Sequence, residues 1–100
     1  MRLMTKKLER RFAEVGSQEN VDDLIIVAKF VNPCGQETWY LTQYDPKRQV
    51  FFGFVLVEDD CNVQWSEFSL KELESFKCPL GVPIERDLDW TEQRVSSVIG

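Results

Sequence analysis

Apolar residues along this chain change period from one stretch to the next, and each change marks an element. Met4, Leu8, Phe12 and Val15 recur at intervals of four, four and three, which places them on one stripe of a helix. Thr5 stands where an N-cap is wanted and Gly16 where a C-cap is. Ser17 to Asp23 is polar and reads as a surface loop.

Period two then takes over. Leu24 to Val31 is rich in β-branched residues, with Leu24, Ile26, Ala28 and Phe30 on one face and Ile25, Val27, Lys29 and Val31 on the other. Asn32-Pro33-Cys34-Gly35 breaks the run as a turn. Trp39 to Tyr44 follows, with Trp39 and Leu41 inward and Thr38, Tyr40, Thr42 and Tyr44 sharing the opposite face. Asp45-Pro46 opens a tight turn that Lys47, Arg48 and Gln49 cross in solvent. In Val50 to Val57 both faces are apolar, the pattern of a central strand. Glu58-Asp59-Asp60 reads as a loop running through Asn62, and Val63 to Phe68 as a short fourth strand.

Ser69-Leu70-Lys71-Glu72 has the spacing of a capping box, and Leu70, Leu73 and Phe76 line one side of the helix it starts. Pro79, Gly81 and Pro83 deny Cys78 to Pro83 both ladder and helix. Ile84 to Trp90 alternates again and is expected to add an edge strand or to lie extended across the sheet, and Thr91 to Gly100 reads as a polar tail. The expected fold is α+β: an antiparallel sheet of about four strands in meander order, with two short helices packed on one face. One domain spanning 1–100 is expected, with 1–4 and 91–100 as flexible tails.

Composition narrows the class. With 100 residues, 43% of them hydrophobic, the chain has room for one core. A membrane-spanning helix needs about 20 apolar residues in a row, and the longest apolar run, Leu24 to Ala28, stops at Lys29. Lys6, Lys7, Arg10 and Arg11 occupy the place of a signal peptide's apolar segment, so a cytoplasmic protein is expected. Cys34, Cys61 and Cys78 are odd in number and unpaired in spacing, which predicts reduced thiols rather than a disulfide framework or a zinc site. The net charge of −5 conceals a polarity. Residues 1–15 carry five basic and two acidic groups, a balance of +3, while the remaining 85 carry seven basic and fifteen acidic, a balance of −8. Such a body repels nucleic acid and anionic membrane.

Three ordered blocks resemble a known family: Trp39-Tyr40-x-x-x-Tyr44-Asp45-Pro46 with Phe51-Phe52-Gly53, then Glu67-Phe68-Ser69-Leu70-x-Glu72-Leu73-Glu74, then Pro79-Leu80-Gly81-x-Pro83-Ile84-Glu85-Arg86-Asp87. Together they are similar to a small bacterial domain of unknown function. The resemblance implies carriage on plasmids, phages and integrated elements, and it supplies no catalytic residue, no cofactor and no activity.

Candidate chemistry is sparse. The chain has no histidine to act as a base, no nucleophile elbow and no phosphate loop. Glu85, Asp87 and Asp89 alternate on an extended segment, so they are weak candidates for a metal site against the ordinary reading of a solvated edge. Tyr40 and Tyr44, if exposed together with a phenylalanine, make a binding platform. The expected binding surface is therefore Tyr40, Tyr44, Asp45, Glu85, Arg86 and Asp87. The preferred function is a non-enzymatic protein-binding module of a mobile element, its partner a host or element-encoded protein. Two alternatives stand beside it: an acidic anti-defence protein imitating DNA charge, and a small metal-dependent enzyme such as a nuclease.

Overall fold

The computed structural model describes residues 2–57 and 63–99. Its elements run α1 (Lys6–Val15), β1 (Ile25–Ile26), β2 (Ala28–Val31), β3 (Glu37–Asp45), β4 (Val50–Val57), β5 (Gln64–Ser69), α2 (Leu70–Ser75), β6 (Glu85–Arg86), β7 (Gln93–Arg94) and α3 (Val95–Ile99). The main sheet is antiparallel in the order β5-β4-β3-β2-β6. Meander order holds from β2 to β5, and the sheet has five strands rather than four because β6 pairs with β2 through Phe30–Arg86 and Val31–Glu85. β4 lies between β3 and β5, as its two apolar faces require.

Both expected helices form with the expected caps. The Thr5 hydroxyl accepts from the Leu8 N–H at 3.1 Å, and Gly16, at φ 65°, donates to the Phe12 carbonyl at 2.9 Å. Ser69 caps α2 by accepting from the Glu72 N–H at 3.3 Å. Leu70 and Leu73 are buried, but Phe76 is the C-cap of α2 and stays exposed rather than completing the stripe. The two helices share one face of the sheet, where Phe12, Leu70 and Leu73 join Phe30, Trp39, Leu41 and Phe51 in one core.

Several expectations give way. Leu24 to Val31 is not one strand. It splits at Val27, whose N–H goes to the Leu41 carbonyl at 2.8 Å, so β1 pairs with β7 while β2 enters the main sheet. Val27 and Ala28 are consequently both in the core, against the strict alternation expected of them. The polar loop before β1 contains a buried residue, Gln18. Its Nε2 donates to the Ile25 and Thr42 carbonyls at 3.0 and 2.8 Å, and its Oε1 accepts from the Ile25 N–H at 2.7 Å, so both donors of the amide and its oxygen are engaged. The segments expected as tails also carry structure. Leu3 is buried in the core, and 91–100 supplies β7 and α3, the latter held because Asp23 accepts from the Ser96 N–H and hydroxyl.

The thiol expectation is corrected for two of the three cysteines. Cys34, in the β2–β3 turn, and Cys78, after α2, form a disulfide with their Cα atoms 6.3 Å apart. The fold brings the two loops to the same end of the sheet, a proximity that their separation of 44 residues conceals. The acidic Glu58-Asp59-Asp60 loop and Cys61 lie outside the described residues.

Candidate functional site

The positions expected to form one surface are divided by a single irregularity. Pairing of β3 with β4 is regular from Glu37–Val57 to Leu41–Gly53 and resumes at Gln43–Phe52, so Thr42 is an extra residue. Thr42 is buried, its hydroxyl donating to the Phe52 carbonyl at 3.1 Å while Gln18 holds its own carbonyl. An extra residue inverts the alternation beyond it. Tyr40 therefore faces away from the helices and Tyr44 toward them, which corrects the expected Tyr40–Tyr44 platform. The Tyr44 ring packs 6.0 Å from Phe12 and 4.8 Å from Phe51. Burial, reinforced by Glu9, Glu74 and Asp45, raises the pKa of its phenol above the ordinary value.

Gly53 makes the bulge sterically feasible. A Cβ there would run into the Tyr40 carbonyl oxygen, with the Leu41 Cα only 2.9 Å away. Asp45, beyond the bulge, organises the hairpin turn. Its Oδ1 accepts from the Lys47 N–H at 3.0 Å, and Arg48 runs on to Glu67 through bonds of 3.2 and 2.8 Å.

The face turned away from the two helices carries a row of rings. Trp90 meets Tyr40 edge-on at 5.8 Å, Tyr40 stacks on Phe54 at 5.0 Å, Phe54 meets Trp65 at 4.9 Å, and Trp65 lies 5.8 Å from Phe52. At one end Trp90 is fixed by its indole N–H, which donates to the Ile26 carbonyl at 3.2 Å. In the middle Phe54 is fully buried. At the other end Phe52 and Trp65 keep 37% and 40% of their surface in solvent, so two large rings are presented by a rigid support. Beside Trp65 a cleft of 430 Å³ is lined by Asp22, Asp23, Leu24, Val95 and Ile99. β5 itself is the edge of the sheet, with Gln64 to Glu67 exposed.

The candidate carboxylates do not converge. Glu85 is exposed on β6. Asp87 pairs with Lys29 at 3.5 Å and also accepts from the Asp89 N–H at 3.0 Å, so its oxygens serve a turn and an ion pair. Lys29 in turn lies 5.8 Å from the Tyr40 ring centre and 5.7 Å from that of Trp90, which joins Asp87 to Tyr40. Arg86 points the other way, donating to the Arg2 and Leu3 carbonyls at 3.3 and 3.2 Å. Among the described residues no three Asp, Glu, Cys or His side chains are grouped to hold a metal ion. Sequence reasoning thus joined Tyr40 to Asp87 but missed Phe52 and Trp65 as the exposed pair. The available signal was the glycine inside an otherwise ideal strand, which marks a bulge.

No helix among the described residues is long and apolar enough to cross a membrane. Comparison with curated proteins and with solved structures returns no match. Residues 3–99 match the family described as a protein of unknown function, DUF2958. With nearly its whole length inside that match, the chain belongs to the DUF2958 family.

Proposed function

We propose that this protein is a non-enzymatic protein-binding module serving a mobile genetic element, which captures an extended segment of a host or element-encoded partner along β5. The observation that carries the reading is the pairing of an open strand edge with two adjacent exposed rings, Phe52 and Trp65. An edge strand offers unpaired N–H and C=O groups that a second extended segment satisfies, and neighbouring pockets then select its side chains. β5 carries neither proline nor lysine, the residues that commonly block such pairing. The cleft beside Trp65 is apolar with two aspartates on its rim, and the body of the chain is acidic, so the segment that fits is apolar with basic residues. A basic, nucleic-acid-binding host protein meets that description, which keeps the charge-imitating anti-defence role inside this reading. The metal-dependent enzyme is disfavoured because Asp87, its central residue, is engaged by Lys29.

A photo-crosslinking residue at position 66, expressed in a bacterial host, identifies the partner, and calorimetry with that purified partner tests the contact. Trp65→Ala is expected to weaken binding by about 2 kcal/mol, the size of a central aromatic anchor. Equal affinity of wild type and Trp65→Ala, or crosslinks that do not depend on Trp65, overturns the reading.

A further inference from the structure

β5 uses only half of its backbone groups inside the sheet. The Leu70 N–H donates to the Gln49 carbonyl at 2.9 Å, and the register with β4 is unbroken from Val50–Ser69 to Val55–Gln64. Bonded and non-bonded pairs alternate in an antiparallel ladder, so Gln64, Ser66 and Phe68 turn their N–H and C=O groups to β4 while those of Trp65 and Glu67 point outward. Among the described residues no strand lies beyond them. Natural sheets guard such an edge with lysine, proline or charge, and the one charge on β5, Glu67, is already matched by Arg48 at 2.8 and 3.2 Å.

We infer that β5 pairs with β5 of a second copy of this chain, antiparallel about a two-fold axis at Ser66, and that this dimer covers the edge until a partner displaces it. The inference rests on the reading of β5 as the capture strand and names what regulates it. A two-fold contact needs a surface that complements itself, and the order of residues supplies one. With the axis at Ser66, Trp65 of each copy stands opposite Glu67 of the other, their outward groups make four N–H···O=C bonds, and pairing runs from Gln64 to Phe68. An axis at Glu67 opposes two carboxylates, and one at Trp65 sets Glu67 against Val63, ahead of the strand. Charge complementarity also selects Ser66. Arg48, held on Glu67, arrives beside the Trp65 ring of the other copy, whose face attracts a guanidinium. The two Trp65 rings become diagonal neighbours, so the Phe52 and Trp65 surfaces of both copies, 37% and 40% exposed in one, close on each other. On the opposite face the axis falls on the small Ser66 side chain beside Gly53, which permits the close approach of a non-bonded pair. The dimer is weak, because one pair of short strands falls below the roughly 1,200 Å² of a stable interface and two chains of net charge −5 repel. A dimer of this kind yields to a partner, and dilution frees the edge as well.

Sedimentation of the full chain from about 1 µM to 1 mM is expected to show the mass rising reversibly from one chain to two. Ser66→Lys, which sets two ammonium groups against each other at the axis while its own position stays exposed, is expected to weaken the dimer about fivefold or more. In a Cys61→Ser background, Ser66→Cys is expected to give a covalent dimer on mild oxidation, since a non-bonded pair holds its Cα atoms about 4.5 Å apart, within disulfide reach. Gln64→Cys, which faces Phe68 of the other copy rather than itself, is expected not to. One chain at every concentration, a dimer that Ser66→Lys leaves intact, or bridging by Gln64→Cys as readily as by Ser66→Cys overturns the inference. The two readings fail separately. Crosslinks from position 66 to another protein but never to a second copy overturn the dimer and leave capture standing, whereas crosslinks to a second copy alone support the dimer and overturn capture.

Discussion

At the scale of single residues, Thr42 and Gly53 decide what the two faces of the sheet display. Period-two alternation assigned Tyr40 and Tyr44 to one face, and the inserted Thr42 sends them to opposite ones. Counting could not reveal this, because a bulge leaves the composition of a strand unchanged. Gly53 was the legible trace. Gly53→Ala is expected to destabilise the protein by about 3 kcal/mol, since the new Cβ meets backbone on β3 that cannot swing aside. Urea denaturation measures this, and a loss below about 0.5 kcal/mol would show that the strand accommodates a side chain there. Gln18 is the other residue whose role the sequence hid. A glutamine among Ser, Glu and Asn reads as solvated, and only the fold shows it bridging β1 to the bulge.

Legibility at the scale of elements followed length. α1 and the β2–β3–β4–β5 meander were readable because each spans two or more repeats of its period and carries its own cap or turn residues, and the six-residue α2 because of its capping box. β1 and β7 have two residues each, too few to show any period, whereas the edge strand expected within Ile84 to Trp90 forms as β6; α3 rests on tertiary bonds rather than on its own sequence. Two predictions follow from these caps. Ser69→Ala is expected to cost about 1 kcal/mol, because the N–H of Glu72 loses its acceptor. α3 is expected to detach first in acid. The Ser96 hydroxyl and then its N–H lower the pKa of Asp23 from the ordinary 3.8. A carboxylate whose folded pKa is depressed stabilises fully above its unfolded value and loses that contribution as pH falls through the folded one. The protection factors of the Val95 and Ser96 amides should therefore fall as pH drops below the ordinary value of 3.8, and Asp23→Asn should abolish that fall.

For the molecule as a whole, the Cα radius of gyration of 13.1 Å is that of a compact 100-residue domain, close to the roughly 13 Å expected for this length. The covalent tie between Cys34 and Cys78 closes a loop of 44 residues, worth up to about 4 kcal/mol by the chain-entropy estimate. Calorimetry with and without reductant should show the melting temperature falling by on the order of 10–20 °C on reduction. Cys34→Ser with Cys78→Ser should melt at the lower temperature in both conditions, and three free thiols in the untreated native protein would refute the tie. The candidate surface was partly legible at this scale. Net charge and the surplus of rings pointed to recognition, whereas the open edge depends on which strand ends the sheet.

The same tie makes a covalent ring of everything from the β2–β3 turn to the segment just after α2. A protease that nicks the backbone anywhere inside that ring yields two polypeptides still joined, migrating as one species until a thiol is added. New termini opened anywhere inside the ring therefore leave the two parts of the chain clasped by sulfur.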